Sequence, residues 1–137
     1  MKKVLLILAC GIATQLSYAQ ATPKWADKAK KAVFSIVTYD KDNKIKNTGN
    51  GFYINENGTA LSDYTLFEGA ERAVIINADS KELPVLRILG ANSMYDIVKF
   101  NTEADKKTIA LKSASQPASV GETVYPVSYT HLTLPTT

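Results

Sequence analysis

The chain has 137 residues, 45% hydrophobic and 21% charged, with a formal charge of +3, one cysteine and one histidine. This length suits one small core, and a charge so near balance excludes a basic field for nucleic acid or an anionic membrane. The lone cysteine, Cys10, excludes an internal disulfide.

Met1-Lys2-Lys3 and the apolar run 4–13 read as an export signal, because the run is shorter than the roughly 20 residues of a transmembrane helix. Ser17 and Ala19 flank Tyr18 as the small residues of a cleavage site, so the leader is expected over 1–19, with Gln20 as the mature N-terminus. A lipoprotein signal ending at Cys10 is the rival reading, but it leaves an apolar region of only about six residues, short of the usual 7–15 or so. Loss of the leader removes Lys2, Lys3 and Cys10, so the mature charge is +1 and no thiol remains. The mature protein is expected to be periplasmic or secreted, without an integral membrane span.

Pro23 opens a short helical pattern with Trp25, Ala29, Ala32 and Val33 on one face, and with Lys24, Asp27, Lys28, Lys30 and Lys31 on a solvated one. The period then changes to two. Strands are expected at 33–39, 51–54, 59–62, 73–77, 82–89, 97–100, 108–111 and 123–125. Turn chemistry separates them: Asp40-Lys41-Asp42-Asn43, Asn57-Gly58 with the positive φ values of a tight hairpin, Asp79-Ser80 and Gly90-Ala91-Asn92. Many short strands without strand–helix alternation imply an all-β antiparallel barrel or sandwich. An OB-like barrel, half a sandwich and a protease barrel all remain open on pattern alone.

The stretch 20–126 holds no histidine or cysteine, so no metal-ligand cluster is expected. Gly49, Gly51 and Gly69 read as hairpin and turn glycines, and Phe34, Phe52, Tyr53 and Phe67 as core and barrel rim. Residues 127–137, VSYTHLTLPTT, are uncharged and threonine-rich, unlike the chain before them. With ordinary codons the same string is encoded by a transposon-end adapter of shotgun sequencing libraries. The segment, including His131, is therefore read as adapter-derived.

Four pieces occur in order: Gly49-Asn50-Gly51-Phe52-Tyr53-Ile54; Asn57-Gly58-Thr59-Ala60-Leu61-Ser62 running into Asp63-Tyr64-Thr65-Leu66-Phe67-Glu68-Gly69-Ala70; Tyr95-Asp96-Ile97-Val98-Lys99-Phe100; and Val120-Gly121-Glu122-Thr123-Val124-Tyr125. Together they resemble the first barrel of trypsin-like serine peptidases, most closely the HtrA/Deg group. The resemblance implies an antiparallel trypsin-like β-barrel, the first of two and incomplete, preceded by a short helix, with no cofactor. It also implies that a polypeptide substrate or protein partner is bound.

The same resemblance places Asp96 at the orienting aspartate of the catalytic triad and Thr65 at the histidine, while the serine would lie beyond Val127. A neutral alcohol is too weakly basic to act as general base. A one-residue shift would offer Tyr64, whose phenol, with a pKa near 10, is equally poor at neutral pH. The resemblance with these replacements implies a catalytically inactive domain acting in polypeptide or partner binding; the alternative is an active HtrA-like endopeptidase in a longer parent. Asp96 could equally be a strand-start residue bonding backbone amides. The surface that would meet a second barrel is expected to drive association of the isolated chain.

Overall fold

Alanines at every third position make one side of the first helix, α1 (Ala26–Ala32), flat enough to pack closely: Ala26, Ala29 and Ala32 are buried. Asp27 in its first turn and Lys30 and Lys31 in its last complement the helix dipole. The structure, a computed structural model, describes residues 23–104 and 108–129. The expected leader and most of the expected adapter-derived tail, His131 included, lie outside the described residues. Val33, expected on the helix face, instead ends the helix in an extended conformation (φ −99°, ψ 144°). It begins a β-branched and aromatic run that favours a strand.

Six strands follow: β1 (Val33–Tyr39), β2 (Ile45–Tyr53), β3 (Thr59–Ser62), β4 (Arg72–Ile76), β5 (Glu82–Asn92) and β6 (Ile97–Thr102). A four-residue helix, α2 (Tyr64–Phe67), stands between β3 and β4. All pairings are antiparallel, and the order β1-β2-β3-β6-β5-β4 closes into a barrel. Register sets the interior. Ile36 lies opposite Ile75, Ile75 opposite Leu83, and Ala60 opposite both Tyr53 and Phe100. These residues, with Phe34 and Val98, form the core. Phe34 meets Tyr53 edge-on at 4.7 Å between ring centroids. Full burial of each large side chain contributes about 1.5–3 kcal/mol.

Gly49 and Gly51 are not turn glycines. Both lie within β2, where the barrel interior is too crowded for a side chain. A Cβ on Gly51 would stand 2.6 Å from a ring carbon of Phe34 and 2.9 Å from the Leu61 carbonyl oxygen, and one on Gly49 would collide with Leu66. Gly69 does occupy a turn, at φ +65°.

Three hairpins share one turn device. Asp40 Oδ1 accepts from the amides of Asp42 and Lys44, Asn55 Oδ1 from those of Asn57 and Thr59, and Asn77 Oδ1 from those of Asp79 and Lys81. In each loop the residue three places after the acceptor, Asn43, Gly58 or Ser80, has positive φ. The side chain thus mimics a backbone carbonyl and fixes the turn. Asn57 itself is not at positive φ, so this hairpin is a longer loop than the two-residue turn expected. The expected turn at 90–92 falls inside β5, where Ala91 and Asn92 pair with Val98 and Ile97. The reversal comes later, with Asn92 Oδ1 accepting from the amides of Met94 and Tyr95. Residues 108–111 and 123–125 are not strands. Every strand of the closed barrel already has a neighbour on both sides, and the 108–111 segment meets it without forming a strand, Leu111 N donating to Tyr53 O at 2.8 Å.

Candidate functional site

The chain leaves β3 at Ser62 and turns immediately into α2, whose own start carries no side-chain cap from Asp63. Asp96, arriving from the β5–β6 turn, supplies that function from across the sequence. Its carbonyl oxygen accepts from Tyr64 N (3.2 Å), and its Oδ1 accepts both Thr65 N and Thr65 Oγ1, each at 2.7 Å. Thr65 and Asp96, expected to meet, are therefore in direct contact, with the hydroxyl as donor. Asp96 holds φ +50°, a left-handed conformation that Asp tolerates better than most residues.

The Thr65 hydroxyl, then the Thr65 amide and least of all the Tyr64 amide, hold the Asp96 carboxyl below its ordinary value of 3.8, with desolvation opposing them. A carboxylate receiving donated hydrogen bonds is favoured in its charged form. Both residues are exposed. The pair combines a neutral hydroxyl with an ionised carboxylate. Neither member is a base poised near neutral pH.

Position is enforced from below. Leu66 and Phe67 pack on the core, with Phe67 and Phe100 centroids 5.1 Å apart. Asn47 Nδ2 donates to Leu66 O at 3.3 Å, tying α2 to β2. The absence of a side chain at Gly49 gives Leu66 its seat.

Beside this pair lies an apolar cleft of about 530 Å³ between α1, the outer face of β2 and β3, the start of β6 and the segment around Tyr125. Trp25 and Tyr125 meet edge-on at 5.4 Å along one wall. Sequence reasoning assigned Trp25 to a helix face and Phe52 to core or rim, and did not see that they share this cleft. Strand alternation carried part of the signal: with Gly51 and Tyr53 inward, Phe52 must point outward. Among the described residues no group of three or more His, Cys, Asp or Glu could hold a metal ion, and no helix is long and apolar enough to cross a membrane.

No protein-family model matches the chain, and no curated protein matches it. Solved structures do. An HtrA-type protease, AlgW with tripeptide, superposes with a TM-score of 0.56 at 17% identity, covering 63% of this chain and 27% of its own. The serine endoprotease from Yersinia pestis gives a TM-score of 0.55 at 17% identity, covering 76% of this chain and 36% of its own. The barrel has the trypsin-like fold.

The chain spans about a quarter to a third of the length of these proteases. At such identity the likeness concerns fold alone. The expected trypsin-like antiparallel barrel, preceded by a short helix, is thus what the chain forms. On this trypsin-like barrel, Thr65 and Asp96 stand at the start of α2 and the end of the β5–β6 turn, joined by two bonds to one carboxylate oxygen.

Proposed function

We propose that the chain is the first barrel of an exported trypsin-like pseudo-protease, and that the protein acts by binding polypeptide rather than by cleaving it. In this reading Thr65 occupies the position of the histidine base and Asp96 that of the orienting aspartate. The observation that carries it is the Thr65 hydroxyl donating to Asp96 Oδ1 at 2.7 Å. On this reading the carboxylate is retained for orienting an imidazole, while an alcohol stands in place of the proton acceptor. Without its base, an acyl-transfer site retains only binding and oxyanion stabilisation, orders of magnitude below full activity. The export-signal pattern expected over residues 1–19 supports export.

Retention of Asp96 favours a second reading, an active endopeptidase in a longer parent whose base comes from elsewhere. One experiment separates the two. The protein produced from its natural gene is mixed with fluorescein-labelled, reduced and carboxymethylated α-lactalbumin. Saturable anisotropy with the labelled chain intact after overnight incubation is expected; fragments accumulating in proportion to protein would overturn the proposal.

A further inference from the structure

Two of the asparagines precede a glycine, in Asn50-Gly51 and Asn57-Gly58. The pairing matters chemically, because a glycine has no Cβ to shield its amide nitrogen from the asparagine side chain before it. The barrel holds the two very differently. Gly51 lies inside β2, opposite Phe34 on one flank and Ser62 on the other, and Ser62 Oγ donates to the Asn50 carbonyl oxygen at 2.7 Å. Moving that peptide breaks the sheet on both sides.

Asn57-Gly58 lies in the loop between β2 and β3, where Asn57 is exposed and Gly58 buried. Glu56 and Asn57 make its tip polar, as befits a connection running over a surface. The other two loops built on the same turn device show what this one lacks. Asn43 N donates to the Asp40 carbonyl oxygen at 3.1 Å, and Ser80 N to the Asn77 carbonyl oxygen at 2.9 Å. The equivalent donor is Gly58 N, which makes no such bond to Asn55 and has no hydrogen-bond partner among the described residues. Its surroundings are pinned: Asn55 Oδ1 accepts from Asn57 N and Thr59 N, each at 3.0 Å, and Gly58 O accepts from Thr102 N at 2.9 Å. One free amide nitrogen is therefore held next to an exposed side-chain amide.

We propose that Asn57 is a site of spontaneous modification, converting to aspartate and isoaspartate through a cyclic imide, while the sheet protects Asn50. Gly58 N, giving up its proton, attacks Asn57 Cγ. The N–Cγ bond forms, the Cγ–Nδ2 bond breaks, and ammonia leaves with that proton. Water then opens the ring. Cleavage of the new N–Cγ bond yields aspartate, and cleavage between the nitrogen and the main-chain carbonyl carbon of residue 57 yields isoaspartate. Either product adds a negative charge beside Glu56. Isoaspartate also inserts a methylene group into the main chain between Asn57 N and Gly58 O, the two points that Asn55 and Thr102 hold.

The test incubates the protein from its natural gene in mildly alkaline buffer, one sample folded and one in guanidinium chloride. Conversion at each asparagine is followed by peptide mapping with mass spectrometry. In the denatured sample Asn50 and Asn57 should convert at similar rates, since only the sequence then acts. In the folded protein Asn57 should outpace Asn50 by at least about tenfold, because a loop opens locally at little cost whereas β2 opens only with the barrel. Asn43 and Asn77, which do not precede glycine, should remain intact over that time. Asn57→Ser should abolish the acidic form that isoelectric focusing detects in the aged folded protein, and Asn50→Ser should leave it. Conversion of Asn50 as fast as Asn57 in the folded protein would overturn the proposal, as would conversion of Asn43 or Asn77 before Asn57. An intact Asn57 in the folded sample once the denatured one has converted would do the same.

Discussion

Replacing Gly51 by alanine puts one methyl group into the most crowded part of the barrel. The new Cβ would lie 2.6 Å from Phe34 Cε2, 2.9 Å from the Leu61 carbonyl oxygen and 3.0 Å from Ile36 Cδ1. Phe34 and Ile36 are fully buried and cannot swing away. Leu61 is held by pairing with Phe52, so its carbonyl moves only if the β2–β3 ladder shifts. Overpacking of this kind costs about 1–3 kcal/mol. With a shift of about 4–8 °C per kcal/mol for a domain of this size, a cost of about 2 kcal/mol lowers the melting temperature by about 8–16 °C. Gly90 provides the control. It also lies within a strand, but nothing stands within 4 Å of its would-be Cβ, so Gly90→Ala should change stability by no more than about 0.5 kcal/mol. Circular dichroism melts of the two variants and the parent in one buffer measure the difference. A Gly51→Ala protein melting within about 2 °C of the parent, or a Gly90→Ala protein falling as far as Gly51→Ala, would refute the interior assignment of β2.

Thr65→Val should raise the titration of the Asp96 carboxyl towards 3.8, because the largest cause of its lowering is the Thr65 hydroxyl; Thr65→Ser should leave it nearly in place. Carbon-detected NMR titration reads both, and identical curves for all three proteins would contradict the hydrogen-bond geometry. The sign of the linked stability is set by the same shift. A carboxyl whose folded pKa lies below its unfolded one contributes stability above the unfolded value and loses it as pH falls through the folded value. Acid unfolding should accordingly begin at higher pH in Thr65→Val than in the parent, and an unchanged acid limb would count against it. Ser35 Oγ is fully buried and has no hydrogen-bond partner among the described residues. Ser35→Ala should be neutral or stabilising by up to about 1 kcal/mol, as read by urea denaturation, whereas a loss of more than about 1 kcal/mol would mean that the hydroxyl has a partner.

The β-branched and aromatic run Val33–Tyr39, closed by the polar turn at Asp40, and the run Thr59–Ser62 after Asn57-Gly58 were placed with their observed bounds from composition and turn chemistry, not from alternation, since β1 is buried on both faces. The turns at Asp40–Asn43 and at Asp79-Ser80 were legible from local chemistry, although the acceptor of the second, Asn77, was expected as the last residue of a strand. The meeting of Thr65 and Asp96 was legible only through resemblance. Thirty-one residues separate them, and no local pattern links a helix start to a distant strand turn. Gly49 and Gly51 misled because a glycine needed for space and one needed for positive φ look alike in a sequence. The four residues of α2 give barely one helical turn and left no periodic trace. Residues 108–111 carry strand-like composition, but strands need an edge, and closure of the ring is a property of the whole chain. The cleft was hidden for a similar reason, since its walls come from six separate stretches of chain.

Labelling of the serine nucleophile tests the central claim most directly. The protein produced from its natural gene is incubated with a fluorophosphonate probe beside an active trypsin-like protease and a heat-denatured sample of itself. On the proposed reading, in which Thr65 takes the base position with its hydroxyl bound to Asp96, no labelling above the denatured sample is expected. Stoichiometric modification of a serine would contradict the account.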